Sequence, residues 1–115
     1  MANTVSNLPN TSNYWDGGAS NVSSFNHTFS VSKTGYYLFT FNIRLHGSSS
    51  TNNYYHITVT GQGDPAGGAA VPADYRFTTS TFVYKMTSTS VTLNFSTANS
   101  TNWTVRGNCT YLGPA

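Results

Sequence analysis

The sequence predicts an all-β fold, an antiparallel jelly-roll β-sandwich. Three observations carry that reading. Order along the chain has period two, and no segment shows the 3.6-residue period of a helix. Seven or eight short runs with strand chemistry recur at roughly ten-residue spacing, as in sandwiches and barrels. Most runs pair one apolar face with one polar face, which is how antiparallel sheets meet a core on one side and water on the other. A chain of 115 residues holds one domain with a modest core.

Taken in order, residues 1–12 form a polar lead-in or stalk junction, and 13–115 form the domain. The stretch up to residue 24 is rich in Gly, Asn and Ser and reads as irregular, with one short strand near Tyr14. Phe25, His27, Phe29 and Val31 alternate with polar residues and predict a strand. Lys33-Thr34-Gly35 is a turn, its glycine able to take φ > 0. The strand 36–46 places Tyr37, Phe39, Phe41, Ile43 and Leu45 on one face. Burying each contributes roughly 1.5–3 kcal/mol, so this strand is expected at the centre of its sheet.

After a loop through 48–53, Tyr55, Ile57 and Val59 mark the strand 54–60. Residues 61–73 are rich in Gly and Pro and read as the longest loop. Strand chemistry resumes at 75–77 and 81–86, then at Val91, Leu93 and Phe95. Residues 97–102 read as a loop. Trp103, Val105, Gly107, Cys109 and Tyr111 form the last alternating set.

Composition removes several function classes. Charged residues are 7% of the chain, against about 25% in an ordinary domain, and glutamate is absent. The five basic residues are scattered in sequence, so no phosphate-tracking stripe exists and nucleic acid is not an expected partner. No run reaches the apolar length of a membrane-spanning helix, so membrane insertion is not expected. Residues 1–12 lack the basic and apolar regions of an export signal. The single Cys109 excludes an intrachain disulfide, and its alternating register makes it a buried, inert thiol.

Catalysis finds little footing. Two carboxylates flank the bond in most glycosidases, and only Asp16, Asp64 and Asp74 are present. Asp16 and Asp64 stand in turn-like contexts beside glycine or proline. No nucleophile elbow accompanies the serines. His27, His46 and His56 lack zinc spacing, although His46 and His56 become neighbours if their strands pair. The chain reads as non-enzymatic, with no metal or cofactor.

Sugar-binding surfaces join an aromatic platform to amide, hydroxyl and arginine donors. Trp15 with Asp16, Asn52, Asn53 and Tyr54 offers one such set, and Trp103 with Asn102 and Arg106 another. The register of Trp103 with Val105 and Tyr111 also fits a core position. Arg44 and Arg106 each stand amid uncharged strand, which suits an inter-subunit contact or a small-anion site. The even face of strand 36–46 is only partly polar. Tyr36, Leu38 and Arg44, joined by Tyr84, make a surface for self-association.

The run from Phe29 through Gly35, Tyr37, Phe39 and Phe41 is similar to the signature strand of the tumour-necrosis-factor and complement globular-head superfamily. That signature reads F-x5-G-x-Y-x-F-x-[FY] in its second half. Val22 and Gly17 depart from its upstream half. Val105-x-Gly107-x-Cys109 resembles the closing strand of such heads. The resemblance implies a jelly roll assembling as a homotrimer. Within the superfamily the composition looks most like a phage tail-needle knob or tail-fibre head. Such a head would sit on a virion appendage and contact a host surface glycan or lipopolysaccharide, or cap the fibre. A monomeric carbohydrate-binding sandwich and a purely structural trimerisation cap are the alternatives.

Overall fold

The computed structural model describes residues 12–46, 53–71 and 76–115. It is an all-β antiparallel sandwich. The strands are β1 (Ser12–Ser30), β2 (Gly35–His46), β3 (Tyr54–Val59), β4 (Gly67–Ala70), β5 (Thr78–Met86) and β6 (Ser90–Gly113).

Two of these strands are long, and each serves both layers. The front half of β6 lies between β3 and the back half of β1, with Leu93 opposite both Val59 and His27. The back half of β6 lies between β2 and the front half of β1, with Val105 opposite both Ile43 and Gly17. Sheet I therefore runs β4-β3-β6-β1, and sheet II runs β5-β2-β6-β1. The register of β1 against β6 breaks between Ala19 and Ser24, where Asn21 has φ 55°. There the Asn21 amide donates to Asn102 Oδ1 at 2.8 Å. The six strands thus supply eight strand segments, but not the same eight that the spacing predicts: Arg76 and Phe77 of the predicted run 75–77 lie outside any strand, and β4 forms within the predicted loop.

Two stretches expected as irregular are strand. Residues 13–24 belong to β1, and 97–102 belong to β6. Both are polar because they cross from one layer to the other and hold few core positions. The Gly-rich segment after residue 60 includes the four-residue β4 at the edge of sheet I, a place that glycine tolerates. The proposed lead-in, up to residue 11, lies outside the described residues.

The core is aromatic. Tyr37, Phe39, Phe41, Ile43 and Leu45 are all buried, as their alternation predicts, and β2 is internal to its sheet. Phe41 of sheet II meets Phe95 of sheet I edge-on at 5.2 Å, and Phe29 meets Phe39 at 5.6 Å. Edge-to-face pairs of this kind add about 0.5–1.5 kcal/mol beyond area burial. Gly35 has φ +144°, and an added Cβ would stand 2.5 Å from the Gly113 carbonyl oxygen, so the turn into β2 requires glycine. The Tyr37 hydroxyl donates to the Lys33 carbonyl at 2.7 Å and ties that turn to the core.

Candidate functional site

The outer face of sheet II collects the surface chemistry of the protein. In β2 the odd residues point inward, so Leu38, Thr40, Asn42, Arg44 and His46 share the outer face with Tyr36. Register then brings neighbours alongside. Asn42 lies opposite both Thr79 and Arg106, and Arg106 lies opposite Asp16. Thr40 lies opposite Asn108, which lies opposite Tyr14. Tyr14 is 63% exposed, the most open aromatic side chain among the described residues.

At one end of this face stands Phe77, immediately before β5. The Arg44 Cζ lies 5.1 Å from the Phe77 ring centroid, and the Arg106 Cζ lies 4.9 Å from it. Both distances fall in the cation–π range. Thr79 Oγ1 donates to Asn42 Oδ1 at 2.7 Å, which leaves the Asn42 amide group facing away from that bond. His46 Nε2 and Thr104 Oγ1 are 2.6 Å apart, and Thr101 donates its hydroxyl to the His46 carbonyl. These bonds fix polar side chains on the sheet before any ligand arrives. The face therefore offers an exposed ring, amides, hydroxyls and guanidinium donors.

The sequence-predicted site residues divide. Arg106 and Arg44 are on this face, Arg106 exposed and Arg44 half-buried. Asn53, just before β3, is exposed, and Tyr54 is exposed at the start of β3 on the outer side of sheet I, where its ring meets His56 at 4.9 Å. Asn52 lies outside the described residues. Trp103 is 4% exposed and its indole donates to the Val22 carbonyl at 3.1 Å, so it is a core residue with no ring face to offer. Trp15 is half-buried and packs inward, its ring stacked on His27 at 3.8 Å and 6°. It closes the core edge.

The expected self-association surface is also rearranged. Tyr84 sits opposite Tyr37 on the inward side of β5, so it does not join Tyr36 and Leu38. Val83 takes its place opposite Leu38, exposed together with Tyr36 and Leu112. Arg44 lies among the polar residues at the other end of β2. His46 and His56 do not meet, because β6 separates β2 from β3. Among the described residues no group of three or more His, Cys, Asp or Glu is placed to hold a metal ion. Among them, too, no helix is long and apolar enough to cross a membrane.

Sequence reasoning missed Phe77 and Tyr14 as members of one surface. Each has an aromatic ring at an outward position, but the register that joins them spans four strands.

Solved structures similar to this chain include carbohydrate-binding modules and parts of glycoside hydrolases. One is the C-terminal family 6 carbohydrate-binding module of LamC, a marine laminarinase from Zobellia galactanivorans. It matches at TM-score 0.51 and 12% identity, covering 86% of this chain and 90% of that one. Another is a family 35 carbohydrate-binding module from Clostridium thermocellum, at TM-score 0.55 and 10% identity, with 89% of each chain covered. A ruminal endo-β-1,4-mannanase of family 26 matches at TM-score 0.57 and 15% identity, over 97% of this chain and 23% of the enzyme. No family model matches the chain. No curated protein matches it. At these identities the likeness establishes the β-sandwich of jelly-roll type. It gives no support to a trimeric-head identity or a virion location.

Proposed function

We propose that the protein is a non-catalytic glycan-binding module that works outside the cell, with the outer face of sheet II as its binding surface. The observation that carries this reading is the convergence of exposed Tyr14, Asn42 and Arg106, with half-buried Asn108, on one sheet face. An aromatic ring packs against the C–H face of a pyranose, and amide and guanidinium groups orient its hydroxyls. A sheet presents them with little conformational freedom left to lose on binding. The carbohydrate-binding neighbours share the scaffold and favour the same reading, although fold alone does not assign function. Affinity electrophoresis against soluble polysaccharides tests it. Retardation by at least one polymer, lost in Tyr14→Ala, is the expected result. Retardation by none overturns the proposal.

A second reading keeps the homotrimeric head. It is favoured by one observation, the apolar strip of Tyr36, Leu38, Val83 and Leu112 at the other end of the same face. Such strips often mark association. Sedimentation equilibrium decides: a clean monomer at high micromolar concentration removes the trimer.

A further inference from the structure

The three arginines, scattered in sequence, are gathered at one end of sheet II. Of five basic residues in the chain, Arg44 and Arg106 both lie over the Phe77 ring, and exposed Arg76 directly precedes that ring in the chain. This occurs in a protein where charged residues are only 7%. Two guanidinium groups against one ring repel each other unless an anion lies between or beside them. Asp16 faces Arg106 in the β1–β6 register. Asp64 is in the turn after β3, at the end of that strand away from Tyr54. Arg44 Nε is buried and has no hydrogen-bond partner among the described residues. A buried charged donor without an acceptor is costly and is uncommon in folded proteins.

We propose that Arg44 and Arg106 form a carboxylate subsite and that the glycan bound by this face carries uronate groups. The inference rests on the glycan-binding reading above. A guanidinium whose flat side rests on a ring still presents its N–H edges outward. Those edges match the two oxygens of a carboxylate in a planar, bidentate pair. Phe77 holds both guanidinium groups against its ring, at 5.1 and 4.9 Å from Cζ to centroid, so less of their freedom is left to lose when a ligand arrives. Asn42 and Thr79 lie beside it and reach the adjacent ring hydroxyls. A neutral sugar's hydroxyl also accepts from a guanidinium N–H but brings no charge to offset the two cations. A uronate carboxylate, unlike a hydroxyl, both accepts from the donor and neutralises its charge.

The test uses polygalacturonate, alginate and glucuronoxylan, each beside its carboxyl-reduced neutral form, in titration calorimetry at low and at high salt. The expected result is at least about tenfold tighter binding of one or more acidic polymers than of the reduced partner, weakened by salt. Arg106→Gln, on an exposed side chain, removes that preference. Arg44→Lys keeps the charge but loses the fork and also removes it. Equal binding of an acidic polymer and its reduced form overturns the uronate inference while leaving the glycan surface standing. Tighter binding of a sulfated carrageenan than of every uronate polymer also overturns it. Binding of no polymer, acidic or neutral, overturns both.

Discussion

Phe41 and Gly107 face each other across β2 and β6, and the phenyl ring lies over the glycine. A Cβ added to Gly107 would stand 2.5 Å from Phe41 Cε1, and Trp15 approaches the same position from β1 at 3.5 Å. The glycine is thus the floor on which two aromatic side chains meet.

Replacing that floor has a cost. Gly107→Ala forces Phe41 out of its edge-on contact with Phe95. Overpacking of this kind costs about 1–3 kcal/mol. A urea titration followed by circular dichroism is expected to show a lower midpoint with an unchanged slope.

Trp103 and Tyr14 should separate stability from binding. Trp103→Phe deletes the indole donor to the Val22 carbonyl and leaves that acceptor unpaired at the core edge. The expected loss is about 1–3 kcal/mol, with glycan affinity unchanged. Tyr14→Ala is expected to move stability by less than about 0.5 kcal/mol and to weaken glycan binding about tenfold or more. Unfolding and calorimetry on the same two variants check both halves.

Stability depends on pH through His27. Burial against Trp15 pushes its pKa below the ordinary 6.5. The unfolded chain then binds a proton more readily than the native protein does. The His27 contribution is constant above about 6.5, is lost as pH falls from there toward the lowered native pKa, and levels off beneath it. His27→Phe removes this dependence. Unfolding midpoints at pH 7.5 and 5.5 should differ in the parent and coincide in the variant, over this window.

Cys109 reports on opening of the core. It is fully buried, opposite Phe39 in β2. Ellman's reagent is expected to label it only at the rate of unfolding, and at once in denaturant. Rapid labelling of the native protein would show that sheet II opens locally.

Much of this was legible in the sequence where side-chain size alternates strictly. The odd positions of β2 name its buried face, and Gly35 names the turn before it. Legibility fails where both parities are alike. In β5, Phe82 and Tyr84 point inward while Val83 points outward, so chemistry alone leaves the orientation of Tyr84 undecided. Trp15-Asp16-Gly17-Gly18 reads as a turn, yet Gly17 is there to seat the indole, which a Cβ would meet at 2.6 Å. The polar stretch 97–102 reads as a loop, because a strand passing between layers needs no apolar face. The grouping of Arg44, Phe77 and Arg106 depends on register across three strands, and no local pattern encodes it.

The sharing of β1 and β6 between the two layers has a consequence for synthesis. As the chain leaves the ribosome, β1 precedes the other strands, yet its strand partner among the described residues is made last: Ser30 waits for Ser90, and Ser12 for Thr110. Until then the longest early segment has both edges unpaired. Apart from Tyr14 and Asp16, its outward positions are Ser, Asn, Thr and Gly, with few apolar groups to recruit a neighbouring nascent chain. The polarity that hides β1 from a reader of the sequence also lets it stay in solution, unclaimed, until its partner arrives.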